Sequence, residues 1–178
     1  GQDLPEHKAL LGGTVLENVL VGFRGRQRSP WWAAPLMLPS HLREEREIRE
    51  RGMELLESVG LGKLAFEMAT SLPYGAQRRL EIARALATGP SFLLLDEPAA
   101  GMNPQESLEL MGFIRNIRDR FGLTILLIEH DMKVVMGISE YIWVLDYGTI
   151  IAEGLPEEIR SNPKVIEAYL GEEALEHA

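Results

Sequence analysis

The spacing of apolar residues divides the chain into a first part that favours helices and a second part in which helices alternate with strands. Thr14–Phe23 is apolar with two polar interruptions, which favours a helix over a strand. Arg43–Val59 carries dense charge followed by an apolar stripe and then Gly60, which predicts an amphipathic helix that ends there. The intervening segment Arg24–Pro39 holds three prolines, so we predict a loop or insertion.

From Gln77 onwards the pattern changes. A helix is predicted over Gln77–Ala87, and the uninterrupted apolar run Ser91–Asp96 predicts a strand covered on both faces of its sheet. Asn103, Pro104 and Glu106 provide the cap, the first residue and the capping partner of a further helix. The remaining predicted elements are a buried strand over Leu123–Glu129, a short helix from about Asp131, a hairpin of Tyr141–Asp146 and Thr149–Glu153 around Tyr147 and Gly148, and two short helices after Pro156 and Pro163. Strands alternating with helices indicate an α/β fold with a parallel sheet.

Composition and charge narrow the class of protein. The chain has 178 residues, 46% hydrophobic and 25% charged, which fits one globular domain rather than a disordered or fibrous chain. The net charge of −9 argues against nucleic acid as a partner, because phosphate backbones attract positive surface. The absence of cysteine excludes disulfides, zinc–thiolate sites and thiol nucleophiles. No apolar run reaches the roughly 20 residues that cross a bilayer, and the first residues lack signal-peptide features, so we expect a soluble protein.

Two carboxylates follow the first apolar strand. Asp96 and Glu97 lie where that strand ends, and open α/β sheets bind their ligands at the carboxyl ends of strands. Asp96 is suited to hold Mg²⁺ through water, and Glu97 to orient or deprotonate an attacking water. The alternative interpretation is a solvated acidic turn after a core strand.

Two further signals accompany these carboxylates. His130 follows the second strand, so parallel pairing would place it at the same sheet edge, where an imidazole can contact a γ-phosphate or the water beside it. The small-residue turn in Leu72–Arg79 leads into a helix, and backbone N–H groups at the start of a helix suit phosphate. Taken alone, a histidine after a strand is usually structural, and a turn of this kind is usually an ordinary turn.

The segment SLPYGAQRRLEIARALATGPSFLLLDEPAAGMNPQE resembles the signature and Walker B region of ABC ATPases, and the spacing to His130 matches the switch histidine of that family. The resemblance covers about residues 14–171. It implies an α/β fold made of a partial P-loop NTPase core with a parallel sheet and a helical signature subdomain. The domains it implies are a helical signature subdomain with an N-terminal remnant at 1–90, an α/β core at 91–154 and a C-terminal helical tail at 155–178.

The resemblance also implies roles for particular residues. Glu97 matches the catalytic base, His130 the switch, and Asp96 the metal-side aspartate of Walker B. The residues expected to contact nucleotide are those of the signature loop and the end of the D-loop, namely Tyr74, Gly75, Ala76, Gln77 and Asn103. Tyr74 departs from the family, which has serine there, so the usual hydroxyl contact to the γ-phosphate is not carried over.

The patterns LPYGAQ, AAGMNP and GLPEEIRSNPKVIEAYLGEE resemble the ATP-binding subunits of branched-chain amino-acid importers. This implies ATP and Mg²⁺ in the intact cassette. It also implies a second cassette and transmembrane permease subunits as partners, and a position on the cytoplasmic face of the cell membrane. One alternative is an ABC-type ATPase of DNA repair or chromosome maintenance. Such proteins carry long heptad insertions or basic surfaces, and this sequence shows neither. The other is a catalytically dead fragment that only binds a partner.

The phosphate-binding motif G-x-x-x-x-G-K-[S/T] does not occur in the sequence. In the family it precedes the signature, so we expect it upstream of Gly1, and Gln2 is a poor match to the Q-loop glutamine. Without that loop we expect this chain alone to have negligible ATPase activity, and its exposed strand edges to favour self-association. Trp31 and Trp32 suit either an interface with a membrane subunit or the interior of the helical subdomain.

Overall fold

The computed structural model describes residues 12–24 and 39–170. The helices are α1 (Val15–Arg24), α2 (Pro39–Ser58), α3 (Tyr74–Ala87), α4 (Pro104–Phe121), α5 (Met132–Ile138), α6 (Pro156–Arg160) and α7 (Pro163–Val165). The strands are β1 (Phe92–Asp96), β2 (Thr124–Ile128), β3 (Ile142–Asp146) and β4 (Thr149–Gly154). Short 3-10 helices at Gly62–Leu64 and Ala69–Ser71 precede α3, and a π-helix, Ile166–Leu170, follows α7.

The helices and strands predicted from the sequence are present. The largest differences are at two helix starts: α2 begins at Pro39, four residues before the predicted Arg43, and α3 begins at Tyr74, three residues before the predicted Gln77. The predicted loop at 24–39, with Trp31 and Trp32, lies almost wholly outside the described residues. Within the described ranges, no helix is long and apolar enough to span a membrane.

Strands β1 and β2 pair in parallel. Near their starts the N–H of Thr124 donates to the carbonyl of Ser91 at 3.0 Å, and at their ends the N–H of Glu97 donates to the carbonyl of Ile128 at 2.9 Å. Strands β3 and β4 form a separate antiparallel hairpin. Its two-residue turn has positive φ at both Tyr147 (44°) and Gly148 (78°), as tight hairpin turns require.

The prediction that both faces of the first strand are covered is wrong. Leu93 and Leu95 are buried, but Phe92 and Leu94, which point the other way, are each 53% exposed. Strand β2 likewise leaves side chains half-exposed on alternate positions. Successive side chains of a strand point to opposite faces, and the described part of this chain covers only one of them. An uninterrupted apolar run such as this one therefore does not establish that the described residues of the same chain cover both faces of the strand.

The described residues form two compact units. The first takes in the chain up to Leu93 together with Gly112–Leu126, and the second takes in Leu94–Met111 together with the chain from Leu127 onwards. The core of the second unit contains Ile142 and Val144 of β3 together with Ile159 and Val165 of the short helices. The hydroxyl of Tyr169 donates to the carbonyl of Leu145 at 2.6 Å and ties the π-helix Ile166–Leu170 to the hairpin.

In the first unit, α1 packs against α2 and α3 through fully buried side chains such as Val15, Val19 and Leu80. Gly22 allows the closest approach between α1 and α3. A Cβ added there would lie 2.6 Å from the carbonyl oxygen of Arg84 and 2.7 Å from the Cβ of Ala87. Both distances are shorter than van der Waals contact, so this position requires glycine.

The start of α1 is fixed by a reciprocal pair of hydrogen bonds. The N–H of Thr14 donates to Oε2 of Glu17 at 2.7 Å, and the N–H of Glu17 donates to Oγ1 of Thr14 at 3.2 Å, which is a capping box. The N–H groups of Val15 and Leu16 donate to the carbonyls of Glu67 and Ala65. The first turn of α1 is thereby tied to the segment that precedes α3.

We predict that Gly22→Ala destabilises the chain by about 1–3 kcal/mol, because the added methyl group overpacks the contact between α1 and α3. Gly112→Ala is the matched control, since a Cβ at that exposed position of α4 meets nothing within 4 Å. We expect it to stabilise by about 0.5–1 kcal/mol through the smaller backbone entropy of alanine. Urea unfolding followed by circular dichroism measures both, and equal effects would contradict the close approach of the two helices.

We predict a pH-dependent contribution from Glu17. Hydrogen bonds from the backbone and then the side chain of Thr14 lower the pKa of Glu17 below its ordinary value of 4.5. A lowered folded-state pKa gives stability that is fully present above 4.5 and is lost as the pH falls through the folded-state pKa. Glu17→Gln keeps an acceptor but does not titrate, so its unfolding free energy should depend less on pH in this acid range.

The comparison requires urea unfolding of the parent and Glu17→Gln at pH values above and below 4.5. Glu50→Gln, which alters an exposed carboxylate of α2, is the control and should retain the parent's pH dependence. Identical curves for all three proteins would show that the capping box does not stabilise α1 through the ionised carboxylate.

Candidate functional site

The ends of β1 and β2 bring Glu97 and His130 together. Glu97 directly follows β1, and His130 comes two residues after the end of β2. Nδ1 of His130 lies 3.3 Å from Oε1 of Glu97, and both side chains are largely exposed, at 71% and 51%. A carboxylate and an imidazole in contact at an exposed sheet edge can accept a proton from a bound water molecule.

Glu97 has a strained backbone, with φ at 42°, a region that non-glycine residues rarely occupy. Its N–H is bonded to Ile128, and its carbonyl accepts from the N–H of Ala100 at 3.1 Å. Such conformations cost about 1–3 kcal/mol and persist where surrounding contacts impose them. The turn after β1 therefore directs the Glu97 side chain to the strand end at the expense of local stability.

Glu129 holds the same turn from the other strand. Its Oε1 accepts a hydrogen bond of 3.0 Å from the N–H of Ala99, thirty residues away in the sequence. Ala99 in turn accepts at its carbonyl from the N–H of Met102 at 3.1 Å. This role of Glu129 was not predicted from the sequence, where the one signal for it is a carboxylate directly before His130 at a strand end.

Asn103 and Asp131 cap the two helices that leave this edge. Oδ1 of Asn103 accepts from the N–H of Glu106 at 3.0 Å, while Oε2 of Glu106 accepts from the N–H of Asn103 at 2.9 Å, as the capping pattern predicts. Oδ1 of Asp131 accepts from the N–H groups of Lys133 and Val134 at the start of α5. The carboxamide of Asn103 is thus engaged within its own helix, and a nucleotide contact by this residue stays a prediction.

Tyr74, Gly75, Ala76 and Gln77 lie in the first unit and form the first turn of α3, not a separate loop. The N–H groups of Ala76 and Gln77 both donate to the carbonyl of Pro73, at 2.9 and 3.0 Å. Nε2 of Gln77 donates to the carbonyl of Leu72. Gly75 is the open position, because a Cβ there would meet nothing within 4 Å. A phosphate could therefore approach this turn most closely at Gly75.

Arg78 fixes the side chain of Tyr74. Its Nε and Nη2 donate to the Tyr74 hydroxyl at 3.2 and 2.9 Å, and its guanidinium lies 5.3 Å from the centre of the tyrosine ring. Nη1 forms an ion pair with Glu81 at 2.9 Å. Partial burial lowers the pKa of Arg78, but the hydrogen bonds to Glu81 and Tyr74 outweigh this and raise it on balance, so the guanidinium stays charged. This role of Arg78 was not predicted from the sequence pattern.

Asp96 is the residue predicted to hold Mg²⁺. It is the exposed last residue of β1, and none of the described residues forms a hydrogen bond or ion pair with its carboxylate. The described residues contain no group of three or more His, Cys, Asp or Glu side chains placed to hold a metal ion. A single carboxylate is a sufficient protein ligand for an Mg²⁺ ion that keeps several of its water ligands and is otherwise coordinated by substrate phosphates.

Comparison with protein families gives two matches. The family profile described as ABC transporter matches residues 4–100. The profile described as Branched-chain amino acid ATP-binding cassette transporter matches residues 149–174. The first match covers more than half of the chain and ends shortly after Glu97, before His130, whereas the second covers β4 and the short helices after it.

Two curated relatives are similar over most of this chain. The high-affinity branched-chain amino acid transport ATP-binding protein LivG of Escherichia coli is 50% identical over 89% of this chain and 62% of its own length. The corresponding protein BraF of Pseudomonas aeruginosa is 44% identical over 96% of this chain and 72% of its own length. The chain therefore spans about three-fifths of the length of the LivG proteins that it matches.

Solved structures agree with these relatives. The ADP conformation of an ATP-binding cassette of an ABC transporter superposes with a TM-score of 0.75 at 32% identity, covering 92% of this chain and 65% of that structure. CbiO1 of Clostridium perfringens, part of the ABC transporter complex CbiONQ, gives 0.72 at 28% identity, covering 89% of this chain and 57% of that structure. The chain thus belongs to the ATP-binding cassette family of ABC transporters and, within it, to the branched-chain amino-acid importer type.

Proposed function

We propose that this chain is the part of an ATP-hydrolysing importer subunit that carries the catalytic base. The observation that carries the proposal is the contact between Glu97 and His130, which unites two separate motifs at one sheet edge. The names of the relatives favour branched-chain amino acids as the imported substrate. They also favour transport over the alternative of DNA repair or chromosome maintenance.

In the proposed reaction Glu97 orients a water molecule and accepts its proton. His130 lies against Oε1, and when its Nδ1 carries a proton it donates to that oxygen and fixes the direction of the carboxylate. The other carboxylate oxygen then faces the water. Asp96 would hold Mg²⁺, which supplies positive charge beside the phosphates when it is bound.

The first turn of α3 is proposed to contact the nucleotide of a second cassette. Gly75 offers the close backbone approach, and the charged Arg78 sits on the Tyr74 hydroxyl in the same turn. The Tyr74 hydroxyl thus stands in place of the serine hydroxyl of the wider family, on a larger side chain whose position Arg78 fixes. Asn103 is proposed to act from the start of α4 in the same assembly.

The proposed partners are that second cassette and transmembrane permease subunits, at the cytoplasmic face of the cell membrane. Support comes from the relatives, which are transport ATP-binding proteins. The net charge of −9 supports protein partners over nucleic acid.

We predict that Glu97→Gln abolishes ATP hydrolysis while sparing ATP binding. The test uses a chimera in which the part of Pseudomonas aeruginosa BraF outside its match to this chain is joined before Gly1, where the phosphate-binding motif is expected. Loss of a general base costs about 10²–10⁴-fold in rate. Phosphate release measures turnover and calorimetry measures binding. Glu153→Gln, a change on the exposed edge of β4, is the control and should turn over as the unsubstituted chimera does.

The same chimera tests the substrate. Expressed in an Escherichia coli strain that lacks LivG, it should restore uptake of labelled leucine, isoleucine and valine, and its Glu97→Gln variant should not. Undiminished turnover by Glu97→Gln would refute the assignment of the base, whereas ATP hydrolysis without restored uptake would refute the importer assignment alone.

We predict that Glu97→Gly does not destabilise the 178-residue chain and stabilises it by up to about 1 kcal/mol, because glycine accepts a positive φ without strain. Asp96→Gly, one residue earlier in regular strand, is the control and should destabilise by about 0.5–1 kcal/mol. Thermal unfolding measures both. Equal losses at the two positions would show that the Glu97 backbone is not strained.

A further inference from the structure

We propose that Glu129 is a positioning residue for Glu97, which it controls through its hydrogen bond to the backbone of Ala99. This inference rests on the proposed role of Glu97 as the base. Glu129 touches neither nucleotide nor water in this proposal, and its effect on the reaction is wholly through the turn after β1.

Three consecutive residues at the end of β2 hold that turn. The carbonyl of Ile128 accepts from the N–H of Glu97 at 2.9 Å, and Oε1 of Glu129 accepts from the N–H of Ala99 at 3.0 Å. Nδ1 of His130 then lies 3.3 Å from Oε1 of Glu97. The first contact fixes the backbone of Glu97, the second fixes the chain two residues further on, and the third reaches its side chain.

The strained backbone of Glu97 makes the second contact necessary. With φ at 42°, this residue would relax towards an ordinary conformation unless the chain on both sides were held. On the N-terminal side β1 is held by its pairing with β2. On the C-terminal side the N–H of Ala100 donates to the carbonyl of Glu97 and closes the turn. The Glu129 bond attaches this side of the turn to the residues that follow β2.

A carboxylate suits this position because it is purely an acceptor and its charge shortens and strengthens a bond from an N–H group. Oε1 of Glu129 already accepts the N–H of Ala99. We therefore propose that Glu129 serves as an anchor and not as a second base. An anchor needs only an acceptor oxygen at the right reach. A glutamine can supply one, whereas alanine and methionine cannot.

Amide hydrogen exchange on the 178-residue chain tests the anchor without any nucleotide. Glu129→Ala should speed exchange at the Ala99 amide about tenfold or more, because local opening no longer breaks a hydrogen bond. Glu129→Met preserves side-chain length but supplies no acceptor oxygen, so it should speed exchange as Glu129→Ala does, and it is the second test if the alanine variant perturbs folding. Glu129→Gln should exchange within about threefold of the parent. Unchanged Ala99 exchange in both the alanine and methionine variants would overturn the proposal.

Turnover of the BraF chimera tests the consequence for the base. Glu129→Ala and Glu129→Met should lower kcat about 10–100-fold, because misplacement of a catalytic group by about 1 Å costs that much. KM for ATP should change little, and Glu129→Gln should restore kcat to near the unsubstituted value. A merely stabilising residue would not show this split or this rescue, and equal loss in Glu129→Gln would overturn the anchor in favour of a role for the charge.

The two proposals fail differently. If Glu97→Gln retains turnover, the proposed function fails whatever the Glu129 variants do. If Glu97→Gln is inactive but Glu129→Ala and Glu129→Met turn over like the unsubstituted chimera, the inference about Glu129 fails alone.

Discussion

The parallel pairing of β1 with β2 is the constraint on which the candidate site depends. Because the strands run in the same direction, the residues that follow them emerge at one edge, and residues more than thirty positions apart come within hydrogen-bond range. The pairing reaches the end of both strands, where the N–H of Glu97 still bonds to Ile128. A hairpin would have placed the ends of the two strands on opposite edges, and Glu97 and His130 could not then meet.

The energies explain why this edge needs several contacts and not one. The positive φ of Glu97 costs about 1–3 kcal/mol. A single hydrogen bond stabilises by about 0.5–1.5 kcal/mol net, and somewhat more when a charged acceptor such as Glu129 takes part. One bond therefore does not reliably offset the strain, whereas the two successive bonds from Ile128 and Glu129 together are of the right size to do so. The exposed contact between His130 and Glu97 adds little to stability because solvent screens it, so its importance lies in orienting the carboxylate.

Sequence patterns predicted most of the elements because each depends on local chemistry. The cap of Asn103 and Glu106, the end of α2 before Gly60 and the turn at Tyr147 and Gly148 are all set within a few residues. The reciprocal caps at Thr14 and Glu17 carry the same pattern and could have been recognised, but Glu17 was interpreted only as an interruption. The contact of Glu129 with Ala99 could not be predicted, since it depends on how two distant turns face each other.

The wrong prediction, that β1 is covered on both faces, has a consequence for the site. The strand places Leu93 and Leu95 in the interior and leaves Phe92 and Leu94 half-exposed, so it is anchored from one side only among the described residues. Burying a large apolar side chain contributes about 1.5–3 kcal/mol, which is comparable to the strain at Glu97. Any surface that covers Phe92 and Leu94 therefore stiffens the same strand whose end carries Asp96 and Glu97. Burial of Phe92 and Leu94 and the placement of the carboxylates at the strand end thus both depend on the same five-residue strand.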